Sequence, residues 1–222
     1  MMRLSILVAQ ESPEVKLPQD FKPFRWYAHH VSEIFLELFP ENININNSSK
    51  ITIEFGPQGN EPVFNGTFGC TNYFIESFDF AEFYKLDDSE KEYILLENIK
   101  VGLISIIKNN FLDTNIIEQI EDTTNKVIEN KFSLEIEVKK LAKNSSNKYY
   151  KISIFRVLNK KVGEGWKLMK IDRKTKEVIE ENWIGKIPSY LNRSDYYKKS
   201  EIIGNEYIIR NNLDEVVYKN KI

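Results

Sequence analysis

The spacing of apolar residues changes period once along this chain, near Phe132, and that change limits the folds open to it. Before it, Phe24, Tyr27, Val31, Ile34 and Leu38 recur at intervals of three and four, one apolar stripe of a helix. Ile94, Leu95, Ile99, Leu103, Ile106 and Ile107 continue the helical pattern and are apolar on most sides, so the helix over Ser89–Asn110 is expected to be buried. A third helix follows Asp113, with Ile117, Ile120, Thr124, Val127 and Ile128 inward. After Phe132 the period is two, which predicts a meander of strands over Leu134–Leu141, Tyr149–Leu158, Trp166–Ile171 and Val178–Ile184. A last hairpin is expected between Tyr207–Arg210 and Val216–Tyr218 across Asn211-Asn212.

The amino-terminal third is mixed. Arg3–Gln10 reads as a strand with Leu4, Ile6 and Val8 on one face. Asp20 is placed to cap the first helix and Pro40 to end it. Lys50–Phe55 alternates and stops at Gly56-Pro57, and Val63–Phe68 is expected to pair with it as a hairpin. Phe74–Phe83 reads as strand or as an irregular packed segment. Ser89 and Glu92 have capping-box spacing. Two helices separated by so short a connection should form an antiparallel hairpin. Together these readings give an α+β fold: an antiparallel sheet, the C-terminal β meander, packed with a helical hairpin and an N-terminal helix. The chain reads as one domain over 1–222, with room for a sub-boundary near residue 132 but no flexible linker to mark one.

Chemistry is harder to find. Cys70 is the only cysteine, so no disulfide forms within the chain, and the thiol suits a reducing, cytoplasmic setting. No stretch approaches the ~20 apolar residues that span a bilayer. His29 and His30 are the only histidines. Neighbouring positions on a helix point about 100° apart, so the pair reads as structural or surface residues rather than metal ligands. The nine glycines form no phosphate-binding pattern. The expectation is therefore no cofactor, no metal and no catalytic constellation, with an enzyme built from dispersed residues as an open alternative.

Charge is the strongest remaining signal. The net charge is −2, but Glu76–Glu97 holds eight acids against two lysines, a net −6, and Lys139–Lys176 holds thirteen cations against two acids, a net +11. In the acidic run, acids alternate with aromatics. It reads either as an amphipathic element with its rings packed inside or as a partner-binding face made of Asp79, Glu82, Asp87, Asp88, Phe83 and Tyr84. In the basic run, Lys148, Lys151, Arg156, Lys160, Lys161, Lys167 and Trp166 form a candidate nucleic-acid surface, because rings among cations stack bases and neutralise phosphates. The competing reading is lysine distributed over both faces and edges of the sheet.

The segment FDFAEFYKLDDSEKEYILLENIKVGLISIIKNN, followed by a second helix ending VIENKF and a β meander, resembles a diffuse group of mostly uncharacterised bacterial proteins. In that group an aromatic-acidic segment leads into a Glu-Lys-x-Tyr-x-Leu helix, and some of its members are of immunity-protein type. The resemblance covers about residues 79–132 and carries no functional residues. It implies a non-enzymatic protein-interaction domain whose partner is a protein, in the immunity case a cognate toxin neutralised by occlusion, with no membrane partner. The alternative is a nucleic-acid-associated accessory protein that uses the basic meander over 139–176.

Overall fold

The computed structural model describes residues 3–18, 21–110, 113–145, 149–185 and 196–221. Among the described residues, four α-helices and three sheets make the fold α+β. Contacts gather into two compact units, Met1–Ser133 and Leu134–Ile222, and the division falls one residue beyond Phe132.

The first unit holds a sheet of β1 (Ile6–Glu11), β2 (Lys50–Phe55), β3 (Phe64–Thr67) and β4 (Cys70–Ile75), in the order β1-β2-β4-β3. Strands β1, β2 and β4 run parallel, and β3 is antiparallel to β4. The hairpin therefore joins β3 to β4, not β2 to β3 as the sequence suggested. The reason lies in the turn. Thr67 pairs with Cys70, and Phe68 and Gly69 both take positive φ, the two-residue turn that closes hairpins. The Gly56-Pro57 signal instead sends the chain into a loop.

The face of β1 is also reversed. Leu7 and Ala9 are buried while Ile6 is 45% exposed. Parallel register sets Leu7 beside Ile51 and Ala9 beside Ile53, and helix α1 (Phe24–Leu38) packs against β1. A single slip in parity exchanges the two faces of a strand.

Helix α1 begins after Pro23 with no side-chain cap, and the expected cap, Asp20, lies outside the described residues. After α2 (Phe80–Lys85), α3 (Asp88–Asn110) and α4 (Thr114–Glu129) form the expected antiparallel hairpin. Leu95, Leu96, Ile99, Leu103 and Ile106 of α3 are fully buried. A Cβ on Gly102 would lie 2.7 Å from Ile53 Cδ1, so glycine lets α3 cross closely over β2. Asp113 caps α4, accepting from the Asn115 and Ile116 amides.

Helix α3 is capped two residues earlier than its sequence suggested. Asp87 accepts from the amides of Ser89 and Glu90, and Glu90 accepts from the Asp87 amide. This is a capping box on Asp87 and Glu90. Glu92, freed from that role, turns inward.

The second unit is antiparallel throughout its described residues. Strands β5 (Leu134–Glu137), β7 (Tyr150–Asn159), β8 (Gly163–Asp172) and β9 (Val178–Gly185) pair in that order, with β6 (Lys143–Asn144) also on β7. A second sheet joins β10 (Lys199–Ile203), β11 (Glu206–Arg210) and β12 (Val216–Lys221). Ile152, Ile154, Trp166 and Leu168 from one sheet and Tyr207 and Ile209 from the other close a common core. Ser200 Oγ and Tyr207 Oη donate to the Leu141 carbonyl at 2.8 and 2.7 Å, which satisfies a buried acceptor between the sheets.

Candidate functional site

The acidic-aromatic run folds at the carboxyl ends of the parallel strands. Strand β4 ends at Ile75, and the chain turns through Glu76–Asp79 into α2. Asp79 starts that short helix by accepting from the Glu82 amide at 3.0 Å. The alternation of acid and ring then sorts the side chains. Phe78, Phe80 and Phe83 pack on Phe24 with ring centroids 5.3, 5.2 and 5.0 Å away, and Phe78 also meets Phe55 at 4.8 Å. Asp79, Glu82, Asp87 and Asp88 remain in solvent.

Phe83 is therefore not a surface anchor: it is 2% exposed and belongs to the aromatic core. Tyr84 is half-buried. Its hydroxyl donates to the Lys22 carbonyl at 3.2 Å, and burial, reinforced by Glu11, raises its pKa well above that of a free phenol.

Beside α2 lies a feature that sequence reasoning missed. The loop after β1 folds back so that Val15, Leu17, Pro18 and Phe21 face Phe80, Ala81 and Tyr84 across a cleft of about 520 Å3. Phe21 stacks on Tyr84 at 4.3 Å and 17°. The loop is held by Ser12, whose Oγ donates to the Pro57 carbonyl at 2.7 Å and whose own carbonyl accepts from the Val15 amide. The sequence ESPEVKLPQD reads as a polar loop because its apolar residues are isolated from one another, and only the turn at Ser12 brings them together. Lys16 and Lys85 also line the cleft, and Lys85 pairs with Glu82 at 2.6 Å in full solvent, a contact worth little. The result is a slot lined by nine residues, apolar apart from Lys16 and Lys85, at the end of a parallel sheet where ligands commonly gather.

Two members of the acidic run point away from that surface. Lys91 is buried, with its Nζ 5.1 Å from the Tyr27 ring and 5.9 Å from the Phe83 ring. Glu92 Oε1 lies 2.7 Å from His30 Nε2, and both side chains are buried. Burial lowers the pKa of His30, and this outweighs the raising effect of Glu92. His29 is buried as well. Among the described residues, no group of three or more His, Cys, Asp or Glu is arranged to hold a metal ion. Cys70 is exposed at the tip of the β3–β4 hairpin, rather than in the interior where a free cysteine is usually found.

The basic run has a different fate. Arg156 and Glu164 face each other on β7 and β8, with Nε to Oε1 at 3.2 Å and Nη2 to Oε2 at 3.1 Å, both buried. Lys167 is held between Glu135 on β5 at 3.0 Å and Glu181 on β9 at 3.3 Å. Lys151 pairs with Glu137 of β5. Trp166 is 1% exposed in the core, and its Nε1 donates to Glu164 at 3.0 Å, so its ring is closed to a stacked base. Lys160 and Lys161 are exposed on the β7–β8 turn, and Lys148 lies outside the described residues. Lys151, Arg156 and Lys167 are thus each paired with glutamate across the strands. The counter-ions come from β5, β8 and β9, and those on β5 and β9 fall outside the window in which the cations were counted.

Comparison of the chain with protein-family models, with curated proteins and with solved structures gives no match. No helix among the described residues is long and apolar enough to cross a membrane.

Proposed function

We propose that this chain is a protein-interaction protein that uses the acidic face of its first unit. The observation that carries this reading is the cleft that Val15–Pro18 and Phe21 form with α2, apolar apart from Lys16 and Lys85, on the unit that also exposes the carboxylates of Asp79, Glu82, Asp87 and Asp88. An apolar pocket within a charged rim is the usual composition of a specific interface: the pocket supplies affinity, the rim speeds encounter. The partner this chemistry selects is a protein segment with an apolar anchor flanked by Lys or Arg. The resemblance of residues 79–132 to a diffuse group of mostly uncharacterised bacterial proteins, some of them of immunity type, supports a narrower form, in which the segment belongs to a toxin whose site is occluded.

The test is a selection from a displayed peptide library on wild-type protein and on Ala81→Arg, which fills the cleft and adds a positive charge. Peptides recovered on the wild type are expected to be apolar and basic, to bind more weakly as salt rises, and to be lost on Ala81→Arg. Recovery of the same peptides on both proteins rejects the cleft. The narrower form is tested by co-expression with the product of the neighbouring gene: toxicity of that product, relieved by the wild type and not by Ala81→Arg, is the expected result. A nucleic-acid role would require the cations of the second unit, and Arg156, Lys151 and Lys167 are paired there with glutamates.

A further inference from the structure

The amino ends of the same parallel strands present the opposite chemistry. Residues 42–49 and 62–75 contain no charged side chain, in a chain where charged residues make up 29%. They meet around a polar pocket of about 220 Å3 whose lining includes Asn46, Asn47, Ser48, Thr67, Phe68 and Thr71. Its floor is built and buried. Ser48 and Thr71 are each 1% exposed, their hydroxyls are 2.6 Å apart, and Asn46 Nδ2 donates to Thr71 Oγ1 at 2.8 Å. Asn46 and Asn47 are both held in the left-handed region, with φ of 52° and 51°.

Phe68 stands at the rim. It is 99% exposed and has a φ of 50°, at the first central position of a turn that favours Asn-Gly. A bulky residue loses stability in that conformation, and a ring wholly in solvent returns none by burial. The fold therefore has no use for Phe68, and a strained, exposed residue beside a pocket is a reason to look for a ligand.

We infer that this pocket binds a neutral carbohydrate ring, with the Phe68 ring as the platform on which the C–H face of the sugar stacks. Three properties select this class. The lining offers amides and hydroxyls, which both donate and accept, as sugar hydroxyls do. It lacks charged groups to hold an anion or a cation. The volume is below the ~300 Å3 typical of drug-sized ligands, which limits the occupant to about one ring. The electron-rich face of an aromatic ring attracts the positively polarised C–H groups of such a ring. The ligand is either a free monosaccharide or the terminal unit of a longer glycan.

Cys70, the only thiol in the chain, is exposed in the wall of the same pocket and serves as the reporter. The experiment measures the rate of Cys70 alkylation by a maleimide against rising concentrations of the methyl glycosides of glucose, galactose, mannose and N-acetylglucosamine, alongside an array of neutral glycans. At least one glycoside or glycan is expected to bind saturably and slow the alkylation. Phe68→Asn should weaken that binding by roughly tenfold or more while raising the melting temperature, because asparagine suits the turn. Ala81→Arg, at the other end of the sheet, should leave the binding unchanged, so failure here and failure of the interaction cleft are separate results. Protection by free glycosides identifies a monosaccharide site, and binding on the array alone identifies a glycan terminus. Absence of binding in both arms, or equal binding by Phe68→Asn, overturns the inference.

Discussion

The acidic run and the basic run look symmetrical in sequence and are opposite in structure. In Glu76–Glu97 most of the carboxylates sit on two helices and the loop before them, and Asp79, Glu82, Asp87 and Asp88 are in solvent. In Lys139–Lys176 five cations, Lys143, Lys151, Arg156, Lys167 and Lys170, sit on strands, and Lys151, Arg156 and Lys167 are each paired with glutamate. The difference is one of neighbours. A short helix flanked by loop leaves its outer side to water, whereas a strand inside a sheet has a partner on each side, and those partners carry the opposite charge. A charge window read along the chain therefore reports a surface only where the chain is its own neighbour.

The imbalance persists at the level of the units. The first 133 residues hold 11 basic and 21 acidic side chains, a net −10, and the remainder hold 20 and 12, a net +8. Pairing within the second unit removes individual charges from the surface without removing the excess.

Breaking the basic side should give the largest effect. Arg156→Ala leaves Glu164 buried without its bidentate partner and should cost about 3–5 kcal/mol, measured by urea unfolding. A loss under about 0.5 kcal/mol, typical of a surface site, would show that Arg156 is available to a ligand after all. Leu103→Ala probes the anchor beneath the acidic side. Leu103 is fully buried in α3, and the cost should be about 2–5 kcal/mol by the same measurement.

The inward-facing pair of Glu92 and His30 gives a pH signature. The folded pKa of His30 is lowered by burial, so the unfolded chain takes up the proton first. Stability is then complete above about pH 6.5 and falls as the pH drops from there toward the folded pKa, with a slope of at most about 1.4 kcal/mol per pH unit from this group. Thermal unfolding across that range should be less steep for His30→Gln than for the wild type. Identical profiles would mean that folding leaves the His30 pKa where it is in the unfolded chain.

The helix cap separates structure from function within the acidic run itself. Asp87→Ala should cost about 1 kcal/mol and Ser89→Ala almost nothing, because Asp87 is the residue that holds the first turn of α3. Equal losses would restore the Ser89 cap. At the small end, Glu82→Lys with Asp88→Lys should change stability by less than about 0.5 kcal/mol, since neither residue caps a helix. It should still slow association with the selected basic peptides at low salt, and the deficit should shrink as salt rises past the ~10 Å screening regime. Unchanged association would reduce the acidic face to ordinary solvated exterior.

Much of the architecture was legible in the sequence. The period change near Phe132, the buried helix around Leu103 and the Asp113 cap are local signals that match the structure, and so do the strands of the meander, except that Leu134–Leu141 is strand only to Glu137 before a 3-10 turn over Lys139–Leu141, and the strand read from Trp166 begins at Gly163. What could not be read depended on pairing. The face of β1 followed from its parallel register with β2, and the β3–β4 hairpin from a turn at Phe68-Gly69, where the sequence offers a residue that the turn disfavours. Of the partner-binding residues, the four acids are exposed, Tyr84 lines the cleft and Phe83 is interior. The cleft itself was hidden because its halves lie about 60 residues apart, at Val15–Pro18 with Phe21 and at Phe80–Lys85.

The parallel pairing of β1 with β2 also sets an order of events in the life of the chain. Gln10 meets Glu54 across 44 residues of sequence, while β7 and β8 meet across residues 160–162. Closing the long loop costs more entropy than closing the short one, so the antiparallel meander forms early and the parallel sheet late. On the ribosome the position is harder still. Strand β1 is made before β2, stands at the edge of its sheet, and has no β2 to pair with until residues 50–55 have emerged. Leu7 and Ala9 are apolar and uncovered for that interval. In a nascent chain of this kind β1 is therefore a segment for a chaperone to cover, before any question of what the finished surface binds.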